Sequence, residues 1–359
     1  MPEPRLGVDH PLSRAQRLGI AALFVLGAMA ISGGAFILSG IYNIGASRDH
    51  WSVTNFLITI LRDRSISVAA GSIPIPDLDD PDLYLLGQEH FRGACTGCHG
   101  LPGGQINPVY QNMLPQPPDL TGAFHDYSAN EIFWIVYNGL KYTGMPAWPA
   151  EGRTDEVWSV VAFLQRLHAE GPGSYDQGGE ATALTNCARC HGDEQTGPIS
   201  NLVPDLDGLS EPYLARVLAE YRSELRASGI MEPLAHQMSD AELQRLASHY
   251  AALPPPQPQT GFPAADIELA RRIATEGVPE QRVPACDSCH TGINPQTPRL
   301  EAQSARYMAT QLDLWRHEGY RDATAQGSLM AHAVRGLTES QALAVSRYYA
   351  SQPVREAEP

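Results

Sequence analysis

All six cysteines of the 359-residue chain fall in three copies of one pentapeptide, Cys-x-x-Cys-His. They are Cys95-Thr96-Gly97-Cys98-His99, Cys187-Ala188-Arg189-Cys190-His191 and Cys286-Asp287-Ser288-Cys289-His290. This is the pattern of covalent haem c attachment: two thiols add to the two vinyl groups of a haem, and the adjoining histidine stands under its iron. A zinc ribbon needs a second Cys pair close by to complete four ligands, whereas successive pairs here lie 92 and 99 residues apart. A thioredoxin-like site needs a strand–helix–strand setting and leaves the three histidines unexplained. No cysteine remains for another role. The chain is expected to carry three haems and to fold as units that each enclose one, the haem supplying much of the apolar core.

Charge narrows the partners. With 25 basic and 40 acidic residues the net charge is −15, which argues against nucleic acid. An acidic surface suits a basic redox partner as well as simple solubility. No charged residue occurs between Arg17 and Arg48, and Leu18 to Ile44 is mostly apolar, long enough to cross a bilayer as a helix. A cleavable signal peptide is the rival reading, since Ala28-Met29-Ala30 looks like a cleavage site, but the apolar run continues past it. An uncleaved anchor is the expectation. Arg5, Arg14 and Arg17 flank one side and Arg48, Arg62 and Arg64 the other, so the positive-inside rule leaves orientation open. Ser32-Gly33-Gly34-Ala35 within the span suits a partner helix. After it, His50 to Arg62 reads as a short helix with Trp51, Phe56, Leu57, Ile60 and Leu61 apolar, lying on the membrane or against another subunit.

Linkers divide the rest. Pro74 to Pro81, Gly171-Pro172-Gly173 and the semi-rigid Pro254-Pro255-Pro256-Gln257-Pro258 give an N-terminal segment at 1–17 (a cytoplasmic N-terminus, as resemblance to bacterial c-type cytochromes implies), an anchor at 18–45, an interfacial helix and linker at 46–81, and haem units at 82–170, 174–253 and 262–352. The last two share a register: Met231 and Met330 each lie 40 residues beyond their motif histidines, and Tyr250 and Tyr349 each 19 residues further. Both also contain Pro-x-Leu-x3-Ser-x2-Tyr-x4-Leu, from Pro204 and from Pro298. This is a duplicated unit. On these residues, and on Val283-Pro284-Ala285-Cys286, both units resemble class I cytochrome c domains, particularly those of periplasmic dihaem cytochromes. In the first unit, Gly144-Met145-Pro146-Ala147-Trp148 resembles the G-M-P-x-W ligand loop of cytochrome domains attached to oxidases and membrane dehydrogenases, and Gly87 and Phe91 match that family's glycine–aromatic spacing before Cys95. The resemblance covers most of Asp82 to Gln352. It implies an all-α fold, three class I cytochrome c domains in tandem after one N-terminal transmembrane helix. Closing helices are expected from Thr154 or Asp155, from Ser239 and from Thr338 as caps, with Leu243, Leu246 and Tyr250, then Leu343, Val345 and Tyr349, as apolar stripes.

His99, His191 and His290 are the expected proximal iron ligands by motif position, and Cys95, Cys98, Cys187, Cys190, Cys286 and Cys289 the attachment points of three haem c groups. The resemblance implies methionine on the opposite face: Met145 in preference to Met113, Met231 in preference to Met238 (which aligns with Leu337), and Met330. His236 and His332, near these methionines, are expected at the surface or the haem edge. His/Met iron has a raised potential and no position free for substrate, and no nucleophile, phosphate loop or non-haem metal motif is present, so no catalytic residue is assigned. Resemblance to bacterial c-type cytochromes implies attachment outside the cytoplasmic membrane, hence a single-pass inner-membrane protein with periplasmic haem domains. The function so implied is an electron relay in a respiratory chain, to or within a terminal oxidase complex. Its partners would be the lipid bilayer and a redox protein or integral-membrane respiratory complex (terminal oxidase, quinol-oxidising complex or dehydrogenase). An electron-accepting subunit of a membrane alcohol or sugar dehydrogenase is the alternative, though such subunits are generally longer and anchored near the C-terminus. A haem peroxidase, which needs an open iron position, fits least.

Overall fold

The computed structural model describes residues 13–175, 183–290, 292, 294–317, 320–321 and 323–354. Among these residues the regular structure is helical throughout, with one isolated bridge between Val278 and Val283. The chain divides into two compact units, 1–55 and 56–359.

The first unit is dominated by α1 (Arg14–Ser39), whose start is closed by a capping box between Ser13 and Gln16. No residue of α1 is buried. Its 26 residues reach about 39 Å at 1.5 Å per residue, more than the ~30 Å hydrocarbon layer. Among the described residues it is the one helix long and apolar enough to cross a membrane. Beyond it Tyr42 hydrogen-bonds His50 at 2.6 Å and packs edge-on against Trp51.

Helix α2 (Ser52–Ala70) runs eight residues past Arg62, where the sequence pattern suggested an end. Tertiary contacts supply the reason. Ile66 and Ala70 are buried, the Asn130 side chain donates to the Ala70 carbonyl at 2.9 Å, and Tyr127 donates to Asp63 at 3.3 Å. The opposite face leaves Phe56, Leu57, Ile60 and Leu61 exposed.

Three helical groups follow. In the first, α3 (Pro81–His90) crosses α5 (Thr154–Glu170), with α4 (Ala129–Asn138) alongside. The crossing is closest at Gly87, where any Cβ would overlap the Ser159 carbonyl. Phe91 and Phe163, both almost fully buried, pack with tilted rings, centroids 4.9 Å apart. Neither Thr154 nor Asp155 caps α5: Arg153 holds the N-cap position without a side-chain cap, and instead pairs with Asp155 at 2.9 Å and Glu156 at 2.8 Å.

The second group comprises α6 (Ala183–His191), α7 (Glu211–Arg222), α8 (Met231–His236) and α9 (Asp240–Ala252). The third comprises α10 (Ala264–Glu276), α11 (Ala305–Arg316), α12 (Ala325–Val334) and α13 (Glu339–Ser351). Capping boxes start α9 (Ser239 with Glu242) and α13 (Thr338 with Gln341). Leu243, Leu246 and Tyr250 are buried along α9. On α13 the buried stripe is Ala342, Val345 and Tyr349, whereas Leu343 is 37% exposed, one position off that helical spacing.

The duplication extends to the backbone and to the contact between the copies. Gly208 N–H donates to the Tyr250 carbonyl at 2.9 Å, and Ala302 N–H, 94 residues on, donates to the Tyr349 carbonyl at 3.0 Å. Ser210 Oγ donates to the Pro295 carbonyl, while its counterpart Ser304 Oγ donates to the carbonyl of Asn201, the counterpart of Pro295. Such reciprocal pairing is the signature of an approximate twofold axis. The first group joins this pair through Asp82, whose carboxylate accepts from Asn201 N–H at 2.9 Å and from Arg306 at 2.7 Å.

Candidate functional site

The three Cys-x-x-Cys-His motifs sit on different local structure. The first follows a widened turn (Phe91–Cys95) that prolongs α3, the second ends α6, and the third opens on a single tight turn (Cys286–Ser288). The histidines nevertheless share one setting. Nδ1 of His99 lies 2.8 Å from the Pro118 carbonyl, Nδ1 of His191 2.9 Å from that of Pro204, and Nδ1 of His290 2.9 Å from that of Pro298. A carbonyl can only accept, so Nδ1 carries the proton and Nε2 keeps the free lone pair. Metal-ligating histidines are oriented in this way by a second hydrogen bond. Each of these prolines opens a Pro-x-Leu triplet: Pro118-Asp119-Leu120, Pro204-Asp205-Leu206 and Pro298-Arg299-Leu300. The recurrence in all three units was the signal that identifies the carbonyl partner; read in only the last two, it suggests duplication and no role.

Burial pushes the thiols of Cys95 and Cys190 up to about 12 and those of Cys187 and Cys286 up to about 11. That is the reverse of the depressed values of redox-active Cys-x-x-Cys pairs, and it marks the surroundings as apolar. Desolvation likewise lowers His191 and His290 from the ordinary imidazole value.

The second and third motifs open into one continuous cavity of about 1210 Å³, beyond the roughly 300–1,000 Å³ typical of a pocket for one small molecule. Cys187, Cys190, His191 and Met231 line it from one side, and Cys286, Cys289, His290 and Met330 from the other. Leu206, Leu246, Leu300 and Leu337 make the wall apolar. Against this wall stand two buried arginines, Arg226 and Arg321. Nε of Arg226 and both Nε and one terminal nitrogen of Arg321 have no hydrogen-bond partner among the described residues. Arg226 also approaches Glu220 at 3.9 Å, whereas the unpartnered donors of Arg321 leave a buried cation beside the apolar wall that suits an anion. A haem, apolar over its macrocycle and anionic at its two propionates, meets both requirements, so the residues present fit covalent haem c.

The methionines are presented differently. Met145 lies in a loop whose ends are tied by Leu140 N–H to the Met145 carbonyl at 3.2 Å, and Met145 N–H donates to Thr143 Oγ at 3.1 Å. Met113 packs its methyl against Gly144, so both thioethers weighed for the first centre lie at this loop. Met231 and Met238 both line the shared cavity, as does Leu337, the counterpart of Met238. His236 and His332 are exposed and lie outside the lining.

A family model described as cytochrome c oxidase, cbb3-type, subunit III matches residues 83–164 and 176–249. The thiosulfate dehydrogenase electron acceptor of Stutzerimonas stutzeri is 32% identical over 214 residues, 58% of this chain and 96% of that protein. The chain belongs to the cytochrome c family. As a cytochrome c it carries covalently bound haem iron and serves electron transfer. Cytochrome c4 of Thiocapsa roseopersicina is 35% identical over 181 residues, 48% of this chain and 90% of that protein. The cbb3-type cytochrome c oxidase subunit CcoP of Cereibacter sphaeroides is 28% identical over 137 residues, 35% of this chain and 47% of that protein. This cytochrome c is thus similar both to a cytochrome c4 and to an oxidase subunit.

Proposed function

We propose that this cytochrome c is a membrane-anchored triheme relay, passing electrons along a respiratory chain to or within a terminal oxidase complex. The observation that carries the reading is the common setting of His99, His191 and His290, each with Nδ1 held by a proline carbonyl beside a cysteine pair. Bound haem c supplies one-electron chemistry at its iron. The chain's own residues do the rest. Each cysteine pair would hold a haem covalently, and each histidine through Nε2, with Met145, Met231 and Met330 through their thioethers, would hold the iron. Thioether ligation and apolar walls that exclude water both raise the reduction potential. Iron held by a histidine and a methionine of the chain would have no position left for substrate. Arg226 and Arg321 receive propionates in the shared cavity.

Helix α1 is the anchor, and the haem units stand on the periplasmic side of the inner membrane. Tethering three centres in one chain keeps them at high effective concentration, so transfer does not wait on diffusion. A second reading has a specific support: a relative bears the name thiosulfate dehydrogenase electron acceptor, which favours a dehydrogenase as the electron source. Pull-down from detergent-solubilised membranes separates the two. Recovery of oxidase subunits supports the relay, and recovery of a dehydrogenase without an oxidase replaces it with the second reading. A pyridine haemochrome assay yielding fewer than three haems per chain would overturn the triheme core of both.

A further inference from the structure

The second unit's methionine is held from outside its own unit. Glu156, in the first turn of α5, is 3% exposed, yet its carboxylate accepts four hydrogen bonds. Ser228 Oγ donates at 2.6 Å, Gly229 N–H at 2.7 Å, Arg153 at 2.8 Å and the Trp148 indole N–H at 3.3 Å. Ser228 Oγ in turn accepts from Met231 N–H at 3.0 Å. Arg153 reaches the same segment, donating to the Ala227 carbonyl at 2.8 Å. Three consecutive residues just before Met231 are therefore gripped by the first unit. Gly229 lies directly under the Trp148 indole, with no room for a Cβ between them. Trp148 itself closes the Met145 loop, its N–H donating to the Tyr137 carbonyl at 2.9 Å.

Among the described residues of the third unit the first unit touches the segment before Met330 only through Arg153, whose guanidinium lies 5.9 Å from the Tyr320 ring centre. There the helix bearing Met330 is capped locally, Thr324 Oγ accepting from Gly327 N–H at 2.9 Å. Helix α8, by contrast, starts at Met231 with no side-chain cap from its own N-cap residue, Ile230. The link that orders its first residue runs through Ser228, which is held locally by Glu232, accepting from Ser228 N–H at 2.8 Å, and from the first unit by Glu156.

We infer that Glu156 is a positioning residue for Met231: the first unit sets how firmly the second unit's methionine is presented. This rests on the reading of Met231 as an iron ligand. A hydrogen-bonded carboxylate with four donors is costly to replace, because removing it strands buried donors, and removing an outer partner of a metal ligand typically weakens ligation by about 10–100-fold.

The test uses the full-length, haem-loaded protein and four variants: Met231→Ala, Glu156→Ala, Ser228→Ala and Thr324→Ala. Two readouts are taken, the far-red band of methionine-bound ferric haem and the affinity for added imidazole. Met231→Ala identifies the second centre as the one that loses its share of the band. Glu156→Ala and Ser228→Ala are expected to tighten imidazole binding at that same centre by about 10–100-fold with haem content unchanged, and Thr324→Ala to act only on the third. Should Glu156→Ala lose haem through misfolding, Ser228→Ala still decides the matter. If Met231→Ala responds but neither Glu156→Ala nor Ser228→Ala alters imidazole affinity, the positioning role is wrong and the ligand assignment survives. If Met231→Ala leaves band and affinity untouched, the ligand assignment fails and takes the inference with it.

Discussion

Met231 opens a helix and Met330 lies within one, whereas Met145 sits in a loop tied by its own backbone. The helical methionines face a cavity that two units build together, and their positions depend on how α8 and α12 pack. The loop methionine depends on hydrogen bonds within the short stretch from Tyr137 to Trp148. The difference teaches which centres are separable. The first unit has its own core and meets the pair through polar links at Glu156, Asp82 and Arg306 and through apolar contacts, Leu202 packing on that core and Leu83, Leu86 and Trp158 reaching the shared cavity. The second and third are halves of one apolar enclosure.

The largest test of this contrast removes one attachment site at a time. Changing both Cys95 and Cys98 to alanine should lower haem content from three to two and leave the thermal unfolding of the remaining pair near its original midpoint. The corresponding change at Cys187 and Cys190 should also leave two haems, but empty half of the shared cavity. Its cost should exceed the about 3–5 kcal/mol lost on truncating a single core aromatic, and the third unit should unfold with the second. Independent melting of the third unit would break the proposed enclosure.

Methionine truncations sharpen the comparison next. Met145→Ala, Met231→Ala and Met330→Ala should each remove about a third of the methionine-to-iron band, as expected for three His/Met centres. Met113→Ala and Met238→Ala should spare the band and cost about 2–3 kcal/mol in unfolding free energy, as for a truncated wall residue. A reversal within either pair, measured by the same spectra, would exchange the ligand assignments.

Some of this was legible in the sequence and some was not, for physical reasons. Motif spacing, the Ser239 and Thr338 caps and the Gly87–Phe91 spacing are local patterns, and the described helices carry each of them. The last turns of α2 were not legible because Asp63, Ser65 and Ser67 dilute the apolar pattern, and it is Ile66, Ala70 and distant Asn130 that hold them. The start of α5 at Thr154 was legible, but its cap was not, because a charge cluster around Arg153 replaces the expected Thr154 or Asp155 cap. The Met231 support is invisible for a related reason: Glu156 and Ser228 are 72 residues apart, and neither belongs to a motif. The common cavity depends on twofold pairing of the copies, which a repeat in sequence permits but does not specify.

A smaller test concerns pH at the junction of the pair. Burial and the neighbouring carboxylate of Asp205 raise Asp207 to about 6, with Arg299 opposing. An acid whose folded value lies above its unfolded value of ~3.9 binds more protons folded than unfolded. Its favourable contribution is present below about 4 and lost as pH rises through about 6. Stability should therefore fall between pH 4 and 6 by about 1 kcal/mol, after allowance for its partial exposure. Asp207→Asn should remove that slope, while removing the first haem should leave it unchanged. Chemical denaturation across this range measures both.

The turn that the copies share carries a last pair of tests, ending on the smallest effect. Gly208 and Ala302 occupy the same left-handed conformation, with φ of 66° and 57°. A Cβ on Gly208 would lie 3.3 Å from the Leu253 carbonyl and from Pro255, so Gly208→Ala should cost about 1–2 kcal/mol, the usual penalty of this conformation for a side-chain-bearing residue. Ala302→Gly relieves a similar strain. It also gives up about 0.8 kcal/mol of methyl burial and about 0.5–1 kcal/mol of backbone entropy. These terms nearly cancel, and the variant should stay within about 0.5 kcal/mol of the parent. A loss well beyond that would mean that the Ala302 methyl, nearly fully buried, has become part of the third unit's packing, and that the two copies have diverged at the turn which their hydrogen bonds still share.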